Sequence, residues 1–331
     1  MSILPHGLAG NLAMADAGEA EAILREALVR IRADREHGAS WLAREAARAL
    51  ARAAMAAESA GHGTGRRGGL GLEGESWRQL ARELAHARPS MAAVAVTVAG
   101  IMAAGGSAPD ERMALAAIRD EAERRAAAWD AAAEAIAAQG RALLVGTVLT
   151  HSRSGTVEEV MRRLAADPVG QVAGVIVTES RPGGEGVGTA RALAAAGLAV
   201  TLVADAAVGL MAAEASCVAL GADSLRADGS LVNKVGTYPL ALAARAAGIP
   251  VYVVSETVKV APDGWPLELE EGETGGLLAA PIPGVRVRAA LFERTPAGLL
   301  SSIITEEGVL RPDELRPYAE RAARDLAALD G

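Results

Sequence analysis

The sequence has 331 residues, of which 51% are apolar, and a net charge of −8. This length allows two ordinary domains with real buried cores, so a disordered chain is excluded for most of the sequence. The charge is spread along the chain without a basic stripe, and binding to a nucleic-acid backbone needs clustered cations, so we expect no nucleic-acid partner.

The single cysteine, Cys217, cannot form an internal disulfide or a cysteine-based zinc site. No His-Glu-x-x-His motif occurs, and we expect neither a metal nor a cofactor. The N-terminus lacks the features of a signal peptide, and the most apolar region, 192–220, is interrupted by Asp205 and Glu214. These features predict a cytoplasmic protein that does not enter a membrane.

Residues 1–140 are predicted to form a helical domain. Apolar residues recur at helical spacing in 19–33, 41–58, 77–87, 91–104 and 109–139. The glycine-rich stretch 61–69 predicts a loop, which is either a flexible connector or a lid over a ligand. It has no Lys followed by Ser or Thr, so it is not a Walker phosphate loop.

Residues 141–331 are predicted to form an α/β domain. Apolar runs of strand length occupy 142–149, 171–178, 199–203, 216–220 and 251–254, and helices are predicted between them, as at 157–166 and 188–196. Such alternation indicates a parallel sheet that is buried on both faces. Ligands of these sheets bind beyond the carboxyl ends of the strands, so functional residues are expected directly after each strand.

Lysine and asparagine are rare in this chain and therefore informative. The only lysines are Lys234 and Lys259, and Asn233 is one of two asparagines. Because arginine serves elsewhere, a retained lysine indicates a need for a compact ammonium group. Asn233 and Lys234 fall in a predicted loop at a strand tip, where they are candidates for binding an anion or a hydroxyl; an ordinary surface pair is the alternative.

Three further strand ends carry candidate groups. The glycine-rich segment 182–188 precedes a predicted helix and could offer backbone N–H groups to phosphate, or be a plain turn. Arg153 and neighbouring hydroxyls could hold an anion, whereas His151 fits a structural role as well as a catalytic one. Asp223 ends an apolar strand, where partial burial raises a carboxyl pKa and suits general acid/base work, although a loop-capping role is the alternative.

At these loops the sequence resembles a known family. The resemblance rests on THSRS (150–154), VTESRP (177–182), DAAVG (205–209), GADSL (221–225), VNKVGT (232–237), TP (295–296) and ITEEGVL (304–310), and more weakly on RPS (88–90) and HGA (37–39). The family joins the alpha, beta and delta subunits of eukaryotic translation initiation factor two B with methylthioribose-1-phosphate isomerase and archaeal ribose-1,5-bisphosphate isomerase. It implies a helical N-terminal domain, a Rossmann-like C-terminal domain and a dimer or larger homo- or hetero-oligomer, and for this chain we expect a homodimer or higher homo-oligomer.

The resemblance also implies roles for individual residues. The family's isomerases use a Cys and an Asp to convert an aldose 1-phosphate to a ketose. Asp223 matches that Asp, Asn233 and Lys234 match substrate-binding residues, and Arg88 matches a phosphate-binding Arg. Ser152 stands at the position of the Cys, and its hydroxyl is a far weaker acid than a thiol, whose pKa is about 8.5.

Two further positions depart from the isomerase pattern. In the matched phosphate loop, which continues through Gly38 and Ala39, His37 replaces an Arg. Glu185 replaces a substrate-binding Gln and brings a negative charge. We therefore expect a ligand with fewer negative charges than a bisphosphate, or with a cationic or hydroxyl group near Glu185.

Two functions compete. The first is a phosphosugar- or nucleotide-binding protein with possible isomerase chemistry, in which Asp223 is the acid/base, Ser152 assists, and Lys234, Asn233, Arg88 and Arg153 contact the anion. The second is a non-catalytic regulatory subunit that senses metabolites and binds partner proteins, which the missing Cys favours. An Arg-rich composition and the lack of a visible exchange-factor extension argue against a role in translation. An inert scaffold would not need these strand-end groups together.

Overall fold

The computed structural model describes residues 18–61, 75–266, 269–272, 277–278, 280 and 282–330. Five helices come first, as predicted: α1 (Glu19–Ala33), α2 (Ala39–Gly61), α3 (Glu75–Ala85), α4 (Ala92–Gly106) and α5 (Glu111–Gly140). The predicted glycine-rich loop lies outside the described residues after Gly61. Asp110 begins α5, because its side chain accepts a hydrogen bond from the Met113 N–H, which is otherwise unpaired in the first turn.

Helix α4 is apolar on every side and forms the centre of the helical part. Residues Ala92–Ile101 are buried throughout, which requires neighbours on all faces. Those neighbours are α2, α3, α5 and the C-terminal helix α10 (Arg316–Asp330). Among the described residues, no helix combines the length and the apolar content needed to cross a membrane.

The second part is α/β, as predicted. Its strands are β1 (Gly146–Thr150), β2 (Val172–Thr178), β3 (Val200–Val203), β4 (Cys217–Leu220), β5 (Ser224–Leu225), β6 (Leu231–Lys234), β7 (Val251–Val254), β8 (Phe292–Thr295), β9 (Ser302–Thr305) and β10 (Gly308–Leu310). Its helices before α10 are α6 (Gly155–Ala166), α7 (Gly186–Ala195), α8 (Val208–Ala212) and α9 (Thr237–Ala247). The main sheet has the order β10-β9-β7-β4-β1-β2-β3 and is parallel except for β10.

A small antiparallel sheet, β5-β6-β8, corrects one prediction. Asn233 and Lys234 do not lie in a strand-tip loop but form the end of β6, where they pair with Glu293 and Phe292 of β8. The apolar core of the helical part continues into this sheet through Val232 and Phe292. The small sheet, which includes Asn233 and Lys234, therefore packs against the same apolar core as the helices.

Candidate functional site

A cavity of about 860 Å³ opens at the carboxyl ends of β1, β2 and β4, facing the start of α2. The structure brings all the residues predicted for the site to its wall: His37, Gly38, Ala39, Arg88, Ser152, Arg153, Glu185, Asp223, Asn233 and Lys234. Their roles in binding or catalysis stay predictions. The parallel sheet places Ser152, Arg153, Glu185 and Asp223 together, because its strand ends share one edge. The helical part contributes His37, Gly38, Ala39 and Arg88, and the small sheet contributes Asn233 and Lys234.

Three helices begin at this cavity. Helix α2 begins at Ala39, α6 at Gly155 and α7 at Gly186, and the residues at or just before these starts line the wall. Backbone N–H groups in a first helical turn lack helical partners, and the helix dipole is positive at this end. Their convergence favours an anion such as a phosphate group.

Asp223 lies in the short connection between β4 and β5 and lines the cavity. Burial raises the pKa of Asp223 from its usual 3.8 to about 6, although the positive charges of Lys259, Lys234 and Arg88 act to lower it. A carboxyl group with this pKa can both take up and release a proton near neutral pH.

Lys259 also faces the cavity, although the sequence analysis did not place it in the site. Its side chain is 3% exposed, and its Nζ lies 2.9 Å from Glu256 Oε2. Burial alone would raise the pKa of Glu256, but the Lys259 ammonium and hydrogen bonds outweigh it and hold this pKa below its usual value. The rarity of lysine was the signal that could have identified Lys259 as a site residue.

Lys234 is paired with Glu185, the residue that departs from the isomerase pattern. Lys234 Nζ lies 2.6 Å from Glu185 Oε1 and 5.6 Å from the centre of the Phe292 ring. The other carboxylate oxygen, Glu185 Oε2, is buried and has no hydrogen-bond partner among the described residues. Glu185 therefore neutralises the Lys234 ammonium through one oxygen, and its other oxygen is left without a hydrogen-bond donor among the described residues.

Arg88 reaches the cavity but is also paired. Its Nε and Nη2 donate to Glu270 at 3.2 and 3.0 Å, and its Nη1 donates to the Asp34 carbonyl at 2.7 Å. Ser90 adds a hydrogen bond to the same Glu270 carboxylate. The guanidinium fork is thus occupied by a carboxylate in this structure, in the geometry that a phosphate would use.

His151 has a structural role. Its Nε2 lies 2.7 Å from the Val235 carbonyl, which can only accept, so Nε2 carries the proton and Nδ1 accepts from the Thr178 hydroxyl at 2.5 Å. Burial lowers the pKa of His151 and keeps it neutral. Because both ring nitrogens are engaged, His151 is not the base that would activate the Ser152 hydroxyl.

Ser152 sits in a backbone conformation that non-glycine residues rarely adopt. Its φ is +65°, and its N–H donates to Ser180 Oγ at 2.6 Å. Strained residues of this kind cluster at functional sites, where the surrounding structure enforces them. The turn after β1 therefore holds Ser152 firmly against the cavity wall.

The outer wall contains His37, Trp41 and Arg153. His37 Nδ1 lies 2.8 Å from Asp34 Oδ2, and the His37 ring stacks on Trp41 with centroids 3.8 Å apart. Arg153 is half-exposed, with Nε 3.8 Å from Glu158 Oε1. Trp41 also lines the cavity and was not predicted as a site residue, although the scarcity of aromatic residues in the chain could have indicated it.

Gly236 couples the small sheet to the end of β1. Its φ is +107°, and a Cβ there would lie 2.5 Å from His151 Cε1. We expect Gly236→Ala to destabilise the fold by about 2–4 kcal/mol in urea unfolding, because it adds both a clash and backbone strain. Gly248→Ala is the control, since it has φ +73° but open space, and should cost only about 1–2 kcal/mol. Equal losses in the two variants would contradict the role of the His151 contact.

Comparison with known proteins identifies relatives. Residues 35–312 match the model of the Initiation factor 2 subunit family. A ribose 1,5-bisphosphate isomerase of Archaeoglobus fulgidus is 39% identical over 172 residues, covering 50% of this chain and 54% of that protein. A methylthioribose-1-phosphate isomerase of Syntrophotalea carbinolica is 37% identical over 226 residues, covering 62% and 65%. The match thus spans between about half and two thirds of the length of these curated relatives.

A solved structure shows the same architecture. The crystal structure of the Pyrococcus horikoshii OT3 translation initiation factor eIF-2B superposes with a TM-score of 0.70 at 31% sequence identity. The superposition covers 87% of this chain and 97% of that one. The helical part followed by a mostly parallel sheet is therefore the arrangement of that protein as well.

Proposed function

The chain belongs to the initiation factor 2 subunit family, and we propose that its large cavity binds a phosphorylated sugar and isomerises it between aldose and ketose. The observation that carries the proposal is Asp223, whose pKa of about 6 suits proton transfer at the wall of a cavity where three helices begin. Relatives named as sugar-phosphate isomerases support the same ligand class.

The proposed binding contacts combine fixed charges and backbone dipoles. Lys234, Asn233, Arg88 and Arg153 are the candidate anion contacts, and the first turns of α2 and α6 add N–H donors. A phosphate that takes Lys234 or Arg88 must displace Glu185 or Glu270 from its present pair. A hydroxyl of the sugar can instead donate to the free oxygen of Glu185, which favours a ligand with a single phosphate.

In the proposed reaction, Asp223 removes the proton from the carbon next to the aldehyde carbon of the open-chain sugar and returns it to the aldehyde carbon. The hydroxyl proton of that neighbouring carbon moves to the former aldehyde oxygen, so the aldehyde becomes an alcohol and the neighbouring carbon becomes the ketone. Lys259 and Lys234 favour the ionised carboxylate that starts this step. Ser152 lacks an activating base, because His151 is engaged by Thr178 and Val235, so the Ser152 hydroxyl is assigned a hydrogen bond to the sugar rather than a proton transfer.

A non-catalytic, metabolite-sensing role is the second candidate, and one observation favours it: Ser152 occupies the position of the isomerases' Cys. A thermal-shift screen of the purified protein against aldose 1-phosphates, ribose bisphosphates and hexose phosphates separates the two, with NMR of each stabilising ligand. A ligand that is converted to its ketose supports the enzyme. A ligand that stabilises the protein but stays unchanged supports the sensor, and no stabilising sugar phosphate would refute both.

We also propose a homodimer or larger homo-oligomer that works in the cytoplasm without nucleic-acid or membrane partners. The support is the family membership together with the acidic net charge. Light scattering during gel filtration should give a mass of at least twice 33.6 kDa. A monomer at micromolar concentration would contradict this part of the proposal.

Ser152→Cys tests the departure at the catalytic position. If isomerisation occurs, we expect the variant to turn over about ten times faster, because a thiol is a far stronger acid than a hydroxyl and gains from Brønsted behaviour. Turnover is followed by NMR of ketose formation. Ser152→Ala is the companion variant and should lower turnover only severalfold. A Ser152→Cys variant no faster than the original would show that this position has lost its part in the chemistry.

A further inference from the structure

A second cavity of about 420 Å³ lies at the carboxyl ends of β7 and β9. Its wall includes one face of α5, the residues that follow the two strands, and Thr97 of α4. The two cavities have no lining residue in common among the described parts of the chain. The volume is within the range of small-molecule sites, which is about 300–1,000 Å³.

Two polar groups of this wall are buried without a partner. Trp129 is 8% exposed and Thr97 is 0% exposed, yet Trp129 Nε1 and Thr97 Oγ1 make no hydrogen bond to any described residue. Buried donors of this kind are nearly always satisfied in folded proteins. Because both residues line the cavity, a molecule inside it is the available partner.

The charged groups of the wall are already paired within the protein. Arg124 and Arg125 each lie within 2.6 Å of a Glu121 oxygen. The Glu306 carboxylate accepts from the N–H and the hydroxyl of Thr257. A charged ligand would have to break such a pair and would lose its own hydration, so the cavity suits a neutral molecule.

The remaining wall consists of short apolar side chains. Ala128, Ala131 and Ala132 of α5 face the cavity together with Val258. Short side chains on one helix face give a smooth surface on which a flat ring can pack. The indole N–H can only donate, so the ligand atom that meets it must be an acceptor.

We propose that this cavity is a second binding site, for a small, neutral, flat heteroaromatic molecule whose ring nitrogen or carbonyl oxygen accepts a hydrogen bond from Trp129 Nε1. The Thr97 hydroxyl forms a hydrogen bond with a second polar atom of the ligand or with a water molecule beside the ligand. This site shares no lining residue with the first cavity, although Glu256 of its wall pairs with Lys259 of the first.

Quinoline and naphthalene test the site, because the two have the same shape and only quinoline has an acceptor nitrogen. Titrations at equal concentrations are followed through the indole N–H signals of the four tryptophans in ¹⁵N-labelled protein. We expect quinoline to shift the signal that disappears in Trp129→Phe, and naphthalene to shift it less. Trp129→Phe should lower the affinity for quinoline about tenfold, which corresponds to the loss of one hydrogen bond, and should change the affinity for naphthalene less than twofold.

Trp77→Phe is the matched control, since Trp77 is a buried tryptophan of the helical part that does not line the cavity. The Trp77→Phe variant should bind quinoline and naphthalene with unchanged affinity. If Trp129→Phe does not fold, the remaining tryptophan variants identify the Trp129 signal by elimination, and the two probes are compared on the unaltered protein. Three results would overturn the proposal: no shift of the Trp129 signal, equal shifts by both probes, or shifts only at another tryptophan. Any of them would indicate that the cavity holds only water.

Discussion

Asp223→Asn is expected to lower isomerase turnover by about 10²–10⁴-fold while leaving sugar-phosphate binding within a few-fold. The amide keeps the size of the carboxyl group but cannot accept and return a proton. NMR of ketose formation measures turnover, and calorimetric titration measures binding. A variant that turns over at the original rate would remove Asp223 from the chemistry.

The same substitution is expected to stabilise the fold at neutral pH. The pKa of Asp223 is about 6 in the folded protein and 3.8 when the group is free, so the folded state holds the proton more tightly. Below about pH 4 both states are protonated and the carboxyl group costs nothing. As the pH rises from about 4 to about 6, the free energy of unfolding falls by up to about 3 kcal/mol, and it changes little above that range. Urea unfolding should therefore show Asp223→Asn gaining up to this amount at pH 7.5 and almost none at pH 4.

Asp228→Asn is the control for the stability effect. Asp228 is an exposed aspartate that forms an ion pair with Arg294, so its loss should give no gain at pH 7.5. A similar gain in both variants would attribute the effect to the net charge of the protein. A gain for Asp223→Asn that does not change with pH would refute the burial of its charge as the cause.

Glu185→Gln is expected to strengthen the binding of a sugar bisphosphate by about 10–100-fold, the effect of removing one nearby like charge. Glu185 now holds the Lys234 ammonium at 2.6 Å and places a negative charge beside the proposed phosphate contacts. The amide has the same shape, and its oxygen can still accept from Lys234, so the change removes charge without removing packing. Calorimetric titrations with ribose 1,5-bisphosphate and ribose 5-phosphate measure the change in preference.

Glu179→Gln provides the matched control. Glu179 lies in the same connection between β2 and α7, pairs with Arg181 at 3.6 Å, and does not line the cavity. Its neutralisation should alter bisphosphate affinity less than twofold. Equal gains in the two variants would indicate a general effect of net charge, and no gain in Glu185→Gln would refute the selection of ligands by this residue.

The long, regular segments were predictable from the sequence. The five helices of the first part and the central strands have periodic or continuous apolar patterns, and the parallel-sheet rule then places the strand-end residues at one edge. The strand β6 was not predictable, because Asn233 and Lys234 pair with β8, almost sixty residues later along the chain. A local pattern of two apolar and two polar residues does not reveal such a partner.

The pairings inside the site were also beyond the sequence. The negative charge of Glu185 was recognised, but its contact with Lys234 depends on how α7 meets the small sheet. The Arg88–Glu270 pair joins residues 182 positions apart. Residues of the second cavity, such as Trp129, look from the sequence like ordinary core positions of a long helix.

The carboxylate partners in the large cavity determine how affinity responds to salt. Lys234, Lys259, Arg88 and Arg153 each already face a carboxylate of the protein. An incoming phosphate therefore exchanges with fixed carboxylates instead of releasing dissolved anions, and binding depends less on ionic strength than at an open cationic patch. Discrimination between anions then comes from how well each one replaces the carboxylates geometrically and from the repulsion between those carboxylates and the charge of the anion.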